Sequence, residues 1–406
     1  MKWQERTRRF VTGTLAAAVV LAPAFAAAQA EPERPTLKLG PFEIRPRLLL
    51  NNIGVDYNVF NDNTDPKQDF TFTAAPDLEV SVHPGRLRVA FTTGSELVYF
   101  QKYTSERSIN RAVGGRADLD LTFLKPFITA SSSHTSQRPN SEIDVRGRHH
   151  PRSYAAGTSL KLASRTSMTF TGRRTIESYD EGVEFRGEDL STLLDNKTSA
   201  YEAAVNLELT PFTTLSLVTG IEEQRFDHSP IRDADSLRIA PTVTFSPLGQ
   251  ITGTGSIGYR RFNGLDPSLP DYSGLVSAGG IGILLGGKYK IDTLFTRDVR
   301  YSYEEGLPYY VVNGGRATLA VQTVAALDLR VTGGRESMNY RALAGQTPPG
   351  KDRVDLYGGG FGYRLADRLR FVFEVEFSHR TSERDAAREY RNTRIVTSLN
   401  WGALNR

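Results

Sequence analysis

Charged side chains recur at every second residue in several segments of this chain. Charged side chains at this spacing could filter solutes by charge. Alternate side chains of a β-strand point to one face, so these residues would share one surface. A wall that carries charges of both signs around a water-filled lumen selects among passing solutes. The same charges could instead pair across neighbouring strands and line a wet or plugged interior. The pore-lining candidates are Arg88, Arg116, Asp118, Asp120, Arg238, Lys290, Asp292, Arg330 and Glu374.

A second charged group lies in the polar segment 178–197, whose central sequence DLSTLL has the pattern of a short helix with Asp189 as its N-cap. The segment could fold back into a barrel as an acidic constriction. It could also be a surface loop whose leucines pack on their neighbours, and of the two we favour the surface loop by a small margin. The constriction candidates are Glu184, Glu188, Asp189 and Asp195.

Residues for catalysis or metal binding are sparse. The six histidines are scattered, and the doublet His149-His150 is weak support for a metal site. No nucleophile motif is recognisable, and the absence of cysteine excludes disulfides and thiolate metal sites. We therefore expect no enzyme activity, no cofactor and no bound metal. A hydrolase acting at the rim of a barrel is only the third alternative.

The N-terminus predicts export. A basic leader precedes an apolar run over 10–22, and small residues then lead to the pattern Ala28-Gln29-Ala30. This is the organisation of a secretory signal peptide, so residues 1–30 should be removed by cleavage near Ala30. No run of about 20 apolar residues follows. A chain without helical spans that meets lipid must satisfy its backbone groups in a closed β-barrel.

The net charge does not support a nucleic-acid partner. The whole chain carries +4, of which residues 1–30 contribute +3, so the mature chain is close to neutral. Nucleic-acid-binding domains carry a basic patch or stripe that this balance does not favour.

Strands are the elements that would position the charged residues. Apolar and polar residues alternate through most of the chain after Gly40, for example over 70–82 and 369–378. Such segments are long enough to cross a bilayer at a tilt. Tight turns such as Pro84-Gly85 and Lys125-Pro126 recur at intervals of about 40 residues and alternate with longer polar loops. Eight hairpins, with a first and a last strand, give 18 strands.

The predicted architecture is all-β. Residues 42–406 should form a transmembrane antiparallel up-and-down barrel of about 18 strands, and 31–41 a short periplasmic segment before it. Two features weaken the count, since 127–134 alternates poorly and the segments 278–280 and 358–360 are rich in glycine. The loss of one hairpin would leave 16 strands.

Several short motifs resemble one porin family. The step Asp56-Tyr57-Asn58-Val59-Phe60 after the first strand, the turns LTPFTTL and FSPLGQI, and the loop sequence FRGEDLSTLLDN are similar to those of the second type of β-barrel porin. The resemblance covers nearly all of the mature chain. It implies an outer-membrane barrel without catalytic residues and, because many members are linked to capsule or exopolysaccharide production, a role in polysaccharide export.

The sequence therefore predicts an outer-membrane channel of a Gram-negative bacterium, for export of exopolysaccharide or passage of polar solutes. The alternative is a non-conducting barrel that serves as a binding or scaffold component of an envelope assembly. The expected partners are outer-membrane lipid, the barrel-assembly machinery and a polysaccharide or small polar solutes, without nucleic acid.

Overall fold

The computed structural model describes residues 37–324, 326–347, 350–366 and 368–402. The predicted signal peptide, its cleavage site near Ala30 and most of the segment 31–41 lie outside these residues. Within that segment, Leu37–Leu39 forms a short strand that turns back and pairs with the start of the first long strand.

Eighteen long strands make up the wall of the molecule. In chain order they are β1 Phe42–Asp56, β2 Asp69–Val82, β3 Leu87–Phe100, β4 Ser108–Leu119, β5 Leu124–Gln137, β6 Arg152–Lys161, β7 Thr166–Glu177, β8 Asn196–Thr210, β9 Thr213–Phe226, β10 Ala234–Phe245, β11 Ile251–Gly264, β12 Tyr272–Leu285, β13 Tyr289–Tyr301, β14 Tyr309–Val324, β15 Leu327–Arg341, β16 Lys351–Ala366, β17 Leu369–Ser382 and β18 Tyr390–Gly402. Each pairs antiparallel with its neighbours in sequence, and β1 also pairs with β18. The predicted closed barrel of 18 strands is confirmed.

The alternation of the sequence separates the two faces of this wall. Leu207, Ile239 and Leu329 lie on the outer phase and expose 41, 46 and 49% of their surface, as lipid-facing side chains do in a membrane barrel. Thr169 and Thr242, on the opposite phase, are buried toward the interior. A shift of one residue in any pairing would exchange the two faces, so the apolar pattern fixes the register.

The two ends of the barrel differ. Eight short turns close one end, which also carries both ends of the strand series, and nine longer loops cover the other. Short periplasmic turns and long extracellular loops are the usual arrangement in such barrels, so the loop end faces outward. The predicted turn at Lys125-Pro126 was wrong. Lys125 and Pro126 lie within β5, and the chain reverses at 120–123 instead.

Pro126 is compatible with a strand because the pairing of β4 with β5 ends at Asp118 and Phe127. The amide hydrogen that proline lacks is therefore not required by β4.

The segments that weakened the strand count are strands. Residues 127–134 lie in β5, and the glycine-rich segments lie in β12 and β16. Two of these glycines allow close backbone approach. A Cβ on Gly279 would lie 2.5 Å from the carbonyl oxygen of Thr254, and one on Gly360 would collide with the carbonyl oxygen of Phe373. Glycine is thus required by the pairing at these positions and does not interrupt it.

Among the described residues, helix is confined to the loops. The loop 178–195 contains one short α-helix, Leu190–Leu194, and three other loops contain single 3-10 turns. None of the helices in the described ranges has both the length and the apolarity that a bilayer crossing requires.

Candidate pore and its extracellular mouth

The predicted wall charges on β3 and β4 lie together on the inner face. The Arg116 guanidinium binds the Asp118 carboxylate at 2.5 Å, and Arg88 lies directly opposite Asp118 in the register. Asp120 lies at the short-turn end, where it forms an exposed pair with Lys125 at 3.1 Å. Asp120 is therefore at the short-turn rim of the barrel, outside the part of the wall that Arg88, Arg116 and Asp118 line.

A second set of inward charges joins β14, β15 and β17. Arg330 lies 3.1 Å from Asp328 and 3.7 Å from Glu374, and Arg370 binds the other oxygen of Asp328. On the same side, Arg316 lies 3.6 Å from Glu376. Two of the predicted wall residues, Arg330 and Glu374, are thus brought together across β15 and β17 within a network of alternating signs.

The remaining wall candidates are on β10 and β13. Lys290 and Asp292 pair at 2.8 Å. Arg238 lies opposite Arg260 in the register, and Arg260 in turn binds Glu222 at 2.8 Å and Asp298 at 2.9 Å. Charge pairing across strands, one of the two alternatives drawn from the sequence, is therefore frequent along this wall.

The opposite side of the lumen is largely uncharged toward the short-turn end, with Glu208 of β8 on the inward phase at the rim. There the inward positions of β7 to β11 carry hydroxyl and amide groups. The Asn206 amide donates to Thr169 at 3.2 Å and accepts from Ser216 at 2.7 Å, and Thr254 donates to Thr244 at 3.2 Å. The interior thus has one sector of paired ions and one sector of neutral hydrogen-bonding groups.

Loop 138–151 crosses the outer mouth of the barrel. It leaves between β5 and β6, yet the Glu142 carboxylate accepts a hydrogen bond of 2.6 Å from Ser302, in the loop between β13 and β14. In a ring of 18 strands these two loops lie on opposite sides. Glu142 is fully buried, and burial raises its pKa to about 7 against the opposing effects of Ser302 and Arg388.

Ion pairs attach the crossing loop to the far wall. The Arg380 guanidinium of β17 binds Asp352 at 2.6 Å and, through the other terminal nitrogen, Asp144 of loop 138–151 at 3.2 Å and the Ser141 carbonyl at 2.9 Å. Arg388 binds Glu304 at 2.7 Å and the Glu142 carbonyl at 3.3 Å. We call Glu142, Asp144, Glu304, Asp352, Arg380 and Arg388 the mouth cluster.

Loop 178–195 lies beside the first. Leu190, Leu193 and Leu194 of its helix are buried against Ile143 of loop 138–151 and Tyr303 of the loop 302–308. Its Arg186 reaches across to bind Asp385, between β17 and β18, at 2.6 Å. Because loop 178–195 leaves between β7 and β8, this contact also spans the mouth. The leucines of this loop pack on neighbouring loops, as the favoured interpretation expected, and the loop as a whole lies across the mouth.

The acidic residues of loop 178–195 mostly stabilise the loop itself. Asp189 caps the helix, as predicted, by accepting from the Ser191 amide at 2.9 Å and from the Ser191 hydroxyl at 2.7 Å, and these bonds hold its pKa below the usual range. Asp195 accepts from the Tyr179 amide at 2.7 Å, while burial raises its pKa to about 6. Glu184 and Glu188 lie in a small hairpin whose two strands, Glu184–Phe185 and Glu188–Asp189, have two residues each, and Glu184 is exposed.

The two histidines of the doublet His149-His150 have different surroundings. His149 stacks on Tyr179 at 5.3 Å between ring centres, whereas His150 faces the outer side, with its Nδ1 3.0 Å from Nδ1 of His134 and its Nε2 2.7 Å from Asp180. Within the described part of the chain, no group of three or more His, Asp or Glu residues is arranged to hold a metal ion.

Loop 138–151 was not predicted to contribute to the mouth. The available signal was the pair Ile143 and Val145, two apolar residues in alternation within an otherwise polar loop. Both belong to the buried cluster at the mouth, Ile143 as a fully buried member and Val145 packed against it. The arginines that bind the loop gave no local signal, because Arg380 and Asp144 are 236 positions apart.

Comparison with known proteins assigns the family. The model of the family described as "Putative beta-barrel porin 2" matches residues 34–401. The chain belongs to this family. It is thus a porin-like β-barrel of the Gram-negative outer membrane. The porin has no match among curated proteins.

Solved structures share the fold of this porin. OccK2 (OpdF) of Pseudomonas aeruginosa, solved in complex with glucuronate, has a TM-score of 0.51 at 12% identity over 89% of this chain and 98% of its own. A BenF-like porin of Pseudomonas fluorescens Pf-5 has a TM-score of 0.50 at 12% identity over 88% and 98%. At this identity the likeness concerns the fold alone.

Proposed function

We propose that this porin is a diffusion channel for small polar solutes, and that loops 138–151 and 178–195 narrow its outer mouth. The observation that carries the proposal is the path of the two loops. Both start on one side of the barrel and bind residues on the other, Ser302 for the first and Asp385 for the second. A solute must pass beside or between these loops to reach the lumen.

The two sectors of the wall favour a solute with hydroxyl groups and a charge. Hydroxyl and amide groups near Asn206 can exchange hydrogen bonds with a sugar-like solute. The arginines around Asp328 can bind an anionic group on the other side. Sugar acids combine both features, and the fold relative OccK2 was solved with one, glucuronate.

Export of a polysaccharide receives less support. A polymer needs a mouth that stays wide while the chain passes, whereas here the mouth holds buried ion pairs such as Arg380 with Asp352, both fully buried. Breaking one partner of such a pair is costly, because it leaves an uncompensated buried charge. The same cluster would suit a barrel that does not conduct, which is the second candidate function.

Solute uptake by liposomes that contain the purified porin tests the proposal. We expect a monosaccharide acid to enter and a trisaccharide to be excluded. Arg388→Gln removes the contacts to Glu304 and Asp352 at 2.7 and 3.3 Å and should admit the trisaccharide. Arg335→Gln is the matched control, because Arg335 also pairs with a carboxylate but is 63% exposed.

The outcomes separate the two candidate functions. If neither the porin nor the Arg388→Gln variant admits any solute, the barrel is a binding or scaffold component. If the wild-type porin admits the trisaccharide as readily as the monosaccharide acid, the loops do not limit passage.

A further inference from the structure

The lipid-facing side of the barrel carries a row of basic residues near its outer rim. On β4 to β7, Arg111, His134, Arg152 and Arg174 occupy the same outward phase as Val113, Ile128, Tyr154 and Phe170, and all eight are exposed. Arg111 lies directly opposite His134, and Arg174 lies opposite Tyr154. Four consecutive strands thus present arginine or histidine side chains outward near the loop end.

A groove is formed between these residues. It has a volume of about 320 Å³ and is lined on its polar side by Arg111, Ser132, His134, His150 and Arg152. Ala112 and Val113 supply apolar lining. The two imidazoles hold each other through their Nδ1 atoms, and His150 engages Asp180, so one wall of the groove is fixed.

The arginines of the groove differ from other arginines at the loop end. Arg225, Arg186 and Arg335 each bind a carboxylate, namely Asp235, Asp385 and Asp355. Within the described part of the chain, neither Arg111 nor Arg152 has a carboxylate within 4.0 Å, and Arg174 binds only the Ser199 hydroxyl at 2.8 Å. Their guanidinium groups can therefore bind an anion from outside the chain.

The height of the groove matches the headgroups of a membrane. Val113 and Tyr154 are two residues below Arg111 and Arg152 and expose 47 and 48% of their surface to lipid. Two strand residues advance about 7 Å, or less along the membrane normal because the strand is tilted. The guanidinium groups thus lie just above lipid-facing apolar side chains, at the level where lipid phosphates occur.

We infer that this groove binds the phosphate group of an outer-leaflet glycolipid. Arg111 and Arg152 would hold the phosphate by paired hydrogen bonds, since guanidinium groups match phosphate oxygens in a bidentate manner. The acyl chains would follow Val113 and Tyr154 along the barrel. The site is on the outer surface and is independent of the passage of solutes through the lumen.

Native mass spectrometry of the full-length mature porin in detergent tests the inference, with bisphosphorylated lipid A as the probe. We expect the porin to retain lipid A and the variant Arg111→Gln/Arg152→Gln to lose its affinity by about tenfold or more, since each charged hydrogen bond is worth roughly that factor. The matched control is Arg225→Gln/Arg261→Gln, which removes two outward arginines from the rims of β9 and β11. It should retain lipid A as the wild-type porin does.

Two further measurements distinguish the source of the phosphate. Dephosphorylated lipid A should not be retained, and inorganic phosphate should not displace lipid A at equal concentration. The inference is overturned if both double variants lose lipid equally, if the dephosphorylated lipid binds as well, or if inorganic phosphate alone occupies the site. If the double variant shows no heat-modifiable folded band on a gel, the single variant Arg152→Gln replaces it in the comparison of lipid A retention with the wild-type porin. Solute uptake should be unchanged in either variant, so this inference can fail without the proposed channel function failing.

Discussion

Acid should close the channel, because the mouth buries Glu142. This carboxyl has no exposed surface and its pKa is raised by burial from 4.5 to about 7. When loop 138–151 leaves the mouth, Glu142 becomes hydrated and its pKa returns to the ordinary range. The closed arrangement therefore binds a proton more tightly than the open one. Its added stability is complete below about 4.5 and is lost as the pH rises through about 7.

The size of the effect follows from the two pKa values. Each pH unit between them is worth about 1.4 kcal/mol, so protonation of Glu142 favours closure by about 3 kcal/mol. This is a change of roughly two orders of magnitude in the ratio of closed to open channels. Asp195, whose pKa is raised to about 6 by burial, adds in the same direction.

The assay is the open probability of single channels in planar bilayers between pH 7.5 and 4.5. We expect the open fraction to fall on acidification, and we expect Glu142→Gln to remain mostly closed at every pH. Glu305→Gln is the control, because Glu305 is exposed in the neighbouring loop and should keep the wild-type response. An open fraction that is constant or rises on acidification would refute the reasoning, as would an unchanged pH response in Glu142→Gln.

Three further predictions concern folding and the loops. Leu207→Arg should destabilise the barrel by roughly 2–4 kcal/mol because Leu207 faces lipid. The inward Glu374→Arg should cost much less. Equal losses of stability for the two variants in urea unfolding would mean that the faces are misassigned. Asp189→Ala should remove the helix cap and weaken loop 178–195 by about 1 kcal/mol, seen as faster proteolysis of that loop, while Glu184→Ala should leave the rate unchanged. The mature chain should fractionate with the outer membrane and shift in gel mobility on heating, and recovery from the soluble periplasm would contradict the assigned location.

The sequence was sufficient to predict the barrel because the wall follows local rules. Outward and inward phases alternate within each strand, and the turns recur at regular intervals, so the strand count did not depend on distant contacts. The error at Lys125-Pro126 arose because proline was interpreted as a turn signal. Pro126 is tolerated within β5 because it lies outside the pairing of β5 with β4, which ends at Phe127 and Asp118. The poor alternation of 127–134 did not prevent pairing because both neighbouring strands impose their register.

The mouth was less accessible to sequence reasoning. The cap of the helix at Asp189 is a local interaction and was predicted from the sequence. The mouth cluster depends on partners far apart in the chain, such as Glu142 with Ser302, 160 positions away. Only the closed ring of strands brings them together, so charge pattern alone could not identify them.

The most direct test of the channel proposal is the single-channel conductance of the purified porin, compared with a variant that lacks residues 187–195. The deletion removes the helix whose Leu190, Leu193 and Leu194 pack against Ile143 and Tyr303 across the mouth. We predict that the wild-type porin conducts and that the deletion variant conducts more. Equal conductance would show that the loop does not narrow the channel, and the absence of current from both would contradict a conducting barrel.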